Sequence, residues 1–249
     1  MKMQFNLSES ERDFIKCFNK LSQYHQSRAF NSFDVWNDFI TAVATSINID
    51  YCTDEKRKNK LVQEQNNAIK RLENQSLYNE LRSILIKGYK SNPNQDFLGD
   101  LFMKLELNNH WKGQYFTPYS LCEAMAAINL FDSIDKIREK GWISIYDPAC
   151  GAGSTLIAAA NYFTKKGIIY ETAAFFVGQD IDRLVAMMCY IQLACLNCAG
   201  YIVVSDTISS PIVGNTVLEP NIQEDQEYWF LPGYFSKHWS EIRKKHKGE

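Results

Sequence analysis

The residues best suited to holding a ligand stand in three short stretches, each closing a β-branched or aromatic run. In Asp147-Pro148-Ala149-Cys150-Gly151-Ala152-Gly153-Ser154, two glycines one residue apart lie between a strand-like segment and a helix-like one. Glycine tolerates positive φ and lets backbone come close to a bound molecule, so the stretch suits ligand contact by main-chain amides. A dinucleotide fingerprint would want its third glycine at 156; Leu156 stands there, which argues against a pyrophosphate and for a smaller, less anionic group. By itself the stretch is also readable as a tight turn with no ligand. The second stretch, Val177-Gly178-Gln179-Asp180-Ile181-Asp182, puts Asp180 at a strand end, where doubly wound folds use a carboxylate to accept from ribose hydroxyls. Asp182 suits a helix N-cap better than a ligand contact. The third, Val203-Val204-Ser205-Asp206, ends the next strand on another acid. Asp147, Asp180 and Asp206 would then line the crevice at the carboxyl ends of consecutive strands.

The elements that must position these residues are legible as periods. After residue 109, runs at 142–146, 174–178 and 201–204 alternate with helical stretches at 154–166 and 182–198, the texture of βαβ units around a parallel sheet. Before it, the chain reads as five helices. Ser8 and Glu11 have capping-box spacing, with Phe14, Cys17, Phe18 and Leu21 following on one face; Phe33, Trp36, Ile40, Val43 and Ile47 mark the second helix. A thin stripe of Leu61, Ala68 and Leu72 marks a third over 54–72. Leu77, Leu81, Ile84 and Leu85 mark a fourth that Gly88 and Asn92-Pro93-Asn94 should end, and Phe97, Leu98, Leu101, Phe102 and Leu105 a fifth. The expected organisation is an α-helical domain over 1–108 and an α/β core over 109–249.

Composition excludes several classes. With 249 residues, 45% hydrophobic and 22% charged, the chain can build a sizeable core and is not a disordered one. A net charge of −2 gives no global field for a polyanion, so nucleic-acid contact must come from a local patch. The cations Lys56, Arg57, Lys58, Lys60, Lys70 and Arg71 are interspersed with Glu55, Glu64 and Glu73 and read as a solvated helix face. No apolar run reaches membrane-span length and no signal-peptide core opens the sequence, so the expected address is cytoplasmic. Seven cysteines do not make a disulfide framework. Cys195 and Cys198, with Cys189 upstream, lack the second ligand pair of a zinc site and read as core residues, so no metal is expected.

A fourth stretch completes the set. Gly113-Gln114-Tyr115-Phe116-Thr117-Pro118 precedes a helical run with Leu121, Met125 and Ile128, although Thr117-Pro118 alone is an ordinary helix start. In order and spacing the four stretches resemble the adenine-specific N6 DNA methyltransferases of the type I restriction-modification kind, in their modification subunits, over about residues 96 to 208. The resemblance implies a Rossmann-like core binding S-adenosylmethionine, with DNA as partner and a helical module before the core. It implies that Gln114, Tyr115, Phe116, Thr117 and Pro118 hold the methionine end. Cys150, Gly151, Ala152, Gly153 and Ser154, following Asp147, would pass beneath the amino acid and ribose. Asp180 would take the ribose hydroxyls, Ile181 pack on the adenine ring and Asp206 accept from the adenine amino group.

Two features depart from that family's pattern. Its Asn-Pro-Pro-aromatic loop, which accepts the protons of the target amine and stacks on the flipped base, has no counterpart. Asn92-Pro93-Asn94 and Ser209-Ser210-Pro211-Ile212 have the wrong place or neighbours, and Tyr228-Trp229-Phe230-Leu231-Pro232 has aromatics and a proline but no adjacent amide acceptor. About 40 residues follow Asp206, and a βαβ unit takes roughly 30 or more, so a core truncated after its third strand is expected, then an irregular tail and a basic helix over 236–247. The expected protein is a methyltransferase inactive alone, with no residue assigned to the transfer step and with a partner chain as one source of the missing loop. The alternative is a non-catalytic S-adenosylmethionine-binding or DNA-associated scaffold.

Overall fold

The computed structural model describes residues 7–25, 31–107 and 116–246. They form two units: Met1–Pro93 with Phe97–Phe116, and Asn94–Asp96 with Thr117–Glu249.

The first unit is helical: α1 (Glu9–His25), α2 (Ser32–Ile49), α3 (Glu55–Leu72), α4 (Gln75–Ser91) and α5 (Phe97–Lys104). Four of the helix starts are closed by side chains. Ser8 and Glu11 exchange bonds between side chain and backbone, Asn31 and Asp34 do the same, Asp54 accepts the N–H of Arg57, and Asn74 that of Leu77. Each cap satisfies a donor that the first helical turn leaves unpaired. The core is aromatic: Phe14, Phe18, Trp36, Phe39, Phe97 and Phe102 are buried, with neighbouring ring centroids 5.6 to 6.5 Å apart. Leu61, Ala68 and Leu72 are the buried residues of α3. On its charged side Arg71 is not merely solvated: its Nε and Nη2 grip buried Asp38 of α2 at 2.8 and 2.5 Å. Gly88 does not end the fourth helix. The α4 helix runs on to Ser91 and stops at Asn92, where Asn92-Pro93-Asn94 should end it; the Phe97 ring lies 3.0 Å from where a Cβ at 88 would be, so this glycine makes room for an aromatic ring.

The second unit holds α6 (Tyr119–Asn129), α7 (Ser133–Lys140), β1 (Ile143–Asp147), α8 (Ser154–Lys165), α9 (Tyr170–Ala173), β2 (Ala174–Asp180), α10 (Arg183–Cys195), β3 (Ala199–Val204), β4 (Val213–Thr216), β5 (Glu219–Asn221), β6 (Glu227–Phe230) and α11 (Lys237–His246). The main sheet has the order β1-β2-β3-β6. Its first three strands are parallel, joined through α8 and α10, as the alternating periods require. Burial is nearly complete along β2 and β3, where continuous apolar runs face helices or other strands on both sides.

The tail is more ordered than its prolines and glycines imply. β4 and β5 form a small antiparallel pair, and β6 adds to β3 antiparallel, with Tyr201 opposite Phe230 and Val203 opposite Tyr228. The third parallel strand is therefore not the last in the sheet. An alternating aromatic run meets the backbone edge that β3 would otherwise expose, and Tyr228 and Trp229 become fully buried. Arg183 locks the start of β6 with a two-pronged bond to Glu227 at 2.7 and 3.0 Å. Trp239 of α11 packs under the sheet beside Phe175, 5.1 Å between ring centres.

Candidate functional site

The carboxyl ends of β1, β2 and β3 carry Asp147, Asp180 and Asp206 at or just past their last residues, and the register of the parallel strands brings these ends together. Between β1 and α8 the chain makes its tight turn with Gly151 at φ +52° and Gly153 at φ +99°. At Gly153 a Cβ would be strained by that φ and would also lie 2.7 Å from Cys189 Sγ of α10, so only glycine serves.

Asp180 organises the turn. Its Oδ2 accepts the N–H of Gly151 at 2.8 Å and its Oδ1 that of Asp182 at 2.9 Å. Asp182 in turn caps α10 through the N–H of Leu184, as its position predicts. Burial pushes the Asp180 carboxyl above the usual carboxylate range, against the pull of the two backbone N–H groups. Asp147 accepts from the Ala149 N–H at 3.0 Å and from the Thr155 hydroxyl, tying the two ends of the loop. Asp206 is partly exposed and held below its ordinary pKa by the Ile208 N–H, at 2.9 Å, and by Ser209.

Two positioning residues had no role assigned from the sequence. Gln179, fully buried, accepts from the Tyr146 hydroxyl at 2.7 Å and donates to Ser205 Oγ at 2.8 Å and the Ser210 carbonyl at 2.9 Å, fastening the ends of β1 and β3 to β2. Gln192, also buried, donates to the Ala152 carbonyl and to Asp96, both at 2.7 Å, and holds the glycine turn from beneath. Their only sequence signal is a glutamine inside an otherwise apolar strand or helix, where burial demands a partner.

These bonds leave acceptor capacity where a ligand needs it. A carboxylate offers about four lone-pair sites, and each Asp180 oxygen spends one on backbone. The remaining pair, one on each oxygen, suits vicinal hydroxyls. Ile181, next in the chain, leaves its side chain 70% exposed. Cys150 is the opposite case: it is buried against Gly178 and Cys189, its thiol is pushed up by the Cys189 contact and by burial, and it acts as packing.

The chain matches the family model described as N-6 DNA Methylase over residues 94–246. It belongs to that family. The matched span covers the glycine turn and all three acidic strand ends. A solved structure provisionally described as a class I S-adenosylmethionine-dependent methyltransferase from Listeria monocytogenes is similar at 16% identity and a TM-score of 0.49, over 83% of this chain and 56% of that one. This chain thus spans little more than half the length of that protein. No curated protein matches it. Membership of this family implies the α/β methyltransferase fold and S-adenosylmethionine as cofactor, and DNA is the family's substrate.

The cofactor fits this turn. Its ribose diol would have the remaining acceptor position on each Asp180 oxygen, and its adenine the exposed apolar side chain of Ile181. When bound, it supplies an electrophilic methyl group on a sulfonium sulfur. Of the other motif residues, Cys150, Gly151, Ala152, Gly153 and Ser154 form the turn itself. Thr117 and Pro118 are exposed at the start of α6, whose Cys122 brings Sγ to 3.4 Å from Ser154 Oγ. Phe116 sets its ring 5.7 Å from Phe102 and falls in the helical unit. Gln114 and Tyr115 lie outside the described residues. The aromatic segment Tyr228-Trp229-Phe230 is part of the sheet, with Tyr228 and Trp229 buried, so those two rings are not free to stack on a base. Among the described residues no group of three His, Cys, Asp or Glu side chains could hold a metal, and no helix is long and apolar enough to cross a membrane.

Proposed function

We propose that this chain is the cofactor-binding part of an adenine-N6 DNA methyltransferase of the type I restriction-modification kind, acting in the cytoplasm and inactive on its own. The observation that carries the reading is Asp180: one carboxylate that fixes the glycine turn through Gly151 and keeps an acceptor on each oxygen for a diol. In this reading Asp180 takes the ribose hydroxyls, Ile181 covers one face of the adenine and Asp206 accepts from its amino group. Gln114 to Pro118, of which Gln114 and Tyr115 lie outside the described residues, are assigned to the methionine end. Residues 1–108 then form the helical domain and 109–249 the core.

Transfer to an adenine amine needs more than a bound donor. The amine lone pair is delocalised into the ring, so acceptors must be aimed at the charge that develops as the methyl moves. The sequence has no Asn-Pro-Pro-aromatic loop to provide them. The loop then comes from outside these residues, a partner chain being one source, and the second reading, a binding module without transfer, rests on the same missing loop.

Calorimetric titration of the full chain with S-adenosylmethionine tests the site directly. Saturation at 100 times the dissociation constant adds about 2.7 kcal/mol of stability, visible as a thermal shift. Absence of both heat and shift at millimolar cofactor sinks the reading. Labelled methyl transfer to DNA is expected to be undetectable with the chain alone. Incorporation lost on Asp180→Ala would show that the chain is complete in itself and that the target loop has been misjudged.

A further inference from the structure

The short strand β6 does more than cover β3. Because it runs antiparallel, it begins where β3 ends: Glu227 lies opposite Val204, and Gln226 just before it falls at the carboxyl end of β3, where the chain turns toward Asp206. Covering an edge needs backbone bonds and apolar faces, and Tyr228, Trp229 and Phe230 supply them. Gln226 and Glu227 spend their side chains elsewhere, each on one of the two loops that carry the acids of β3 and β2.

Gln226 is buried, and both ends of its amide are engaged. Its Oε1 accepts from the Tyr228 hydroxyl at 3.0 Å, while its Nε2 reaches the Ser210 carbonyl at 3.0 Å, Ser210 Oγ at 3.1 Å and the Pro211 carbonyl at 3.0 Å. Two of these acceptors are carbonyl oxygens, which cannot donate, so the place requires a donor. The Ser210 carbonyl also receives Gln179 Nε2 at 2.9 Å, so β2 and β6 meet on one oxygen. Ser210 is the foot of the loop: its N–H returns to the Asp206 carbonyl at 2.8 Å, closing a turn in which the Asp206 side chain holds the Ile208 N–H at 2.9 Å. What fixes Ser210 therefore fixes Asp206. Glu227 acts on the other loop. Its two oxygens take the Arg183 guanidinium at 2.7 and 3.0 Å, and that guanidinium lies 5.4 Å from the centre of the buried Trp229 ring. Arg183 directly follows Asp182, whose N–H is one of the two that hold Asp180.

We propose that Gln226 and Glu227 are positioning residues for the adenosine half of the cofactor: Gln226 sets Asp206 through Ser210, and Glu227 sets Asp180 and Ile181 through Arg183. The inference rests on the roles proposed above for those three residues. A satisfied polar network fixes backbone in one place, so these bonds preorganise the acceptors before the cofactor arrives and reduce the ordering that binding must supply. Affinity for adenosine then depends on a strand that carries no cofactor motif.

The test uses the full chain, titrated calorimetrically with S-adenosylmethionine and with methylthioadenosine, which keeps the adenosine and lacks the amino acid. Gln226→Glu preserves shape and removes the donor. It should weaken both ligands by the same factor, about tenfold, because a bond to a buried carbonyl is lost and a carboxylate faces that oxygen instead. Glu227→Gln, at a half-exposed pair, should cost roughly threefold, and its effect should be less than additive with that of Arg183→Gln, since both act through one contact. In the cofactor-free chain, amide exchange at Ile208 and Ser210 should quicken in Gln226→Glu. If β6 only covers an edge, these variants lower stability in urea and leave the affinity of the folded chain unchanged; that pattern overturns the proposal. So does a loss confined to S-adenosylmethionine, which would put the effect at the methionine end. Tight binding by wild type with unaltered variants refutes the positioning roles alone. A wild-type chain that binds neither ligand refutes the functional reading, and unchanged exchange at 208 and 210 would then refute the hold of Gln226 on the loop as well.

Discussion

The two units solve opposite problems with their buried groups. The helical unit fills its core with rings and uses polar side chains at helix starts or in ion pairs, Arg71 with Asp38 and Lys104 with Glu11. The α/β unit buries glutamines behind its working loop, Gln179 and Gln192, each with several partners. Apolar packing is non-directional and tolerates small shifts, whereas a satisfied polar network fixes a backbone in one place. The first unit is thus built for stability, and the second spends part of its interior on holding a turn in register with three carboxylates.

Substitutions should separate these roles. The largest effect is expected from Trp36→Ala, which removes a fully buried ring from the aromatic cluster and should lower the stability of the helical unit by about 4 kcal/mol. Urea denaturation of the full chain measures it; a loss below about 1 kcal/mol would mean that the cluster is not the core. Next comes Gly153→Ala, at about 3 kcal/mol from φ strain and the clash with Cys189 combined. Adding Cys189→Ala should return about 1 kcal/mol of that, since the φ penalty remains. Full additivity of the two changes would disprove the steric component.

Asp180→Ala should weaken cofactor binding by about 2 kcal/mol, roughly thirtyfold, because charge-assisted bonds to hydroxyls are lost. Asp206→Ala should cost less, since Ile181 still covers the ring. Equal losses by titration would contradict the assignment of the two acids.

The smallest effect is a pH dependence. Cofactor hydroxyls bind the charged form of Asp180, so affinity should be full at neutral pH and fall as pH drops toward the raised pKa of that group. Asp206, held below its ordinary value, stays charged through the same window. Asp180→Asn should flatten this acid limb, and Asp206→Asn should leave it. In the free protein the sign reverses: a carboxyl raised above its unfolded value contributes stability that is lost as pH rises through the folded pKa. Titrations across the acid range, with and without cofactor, check both limbs.

Several of these features were legible in the residues. The caps at Ser8 and Asp182, the stripe of α3 and the three acidic strand ends follow from local spacing, and the structure has them where the spacing puts them. Asn92 ends α4 as its neighbours imply, whereas Gly88 does not, because a glycine that ends a helix and one that admits a neighbour's ring look alike until Phe97 is folded against it. Strand β6 was missed for a related reason: Glu227 to Phe230 is four residues long, flanked by turn formers, and is a strand only because β3 offers it an edge.

The sequence by itself determined the periods, the caps, the glycine turn and the order in which acids close the strands, since each depends on residues within a few positions of one another. Tertiary structure alone decided which sheet edges are covered. β3 is closed by a segment more than 20 residues further along the chain, while the outer edge of β1 has no strand beside it among the described residues. Strand partners are chosen by long-range contact and by burial on both faces, and neither leaves a local signature in the chain that makes them.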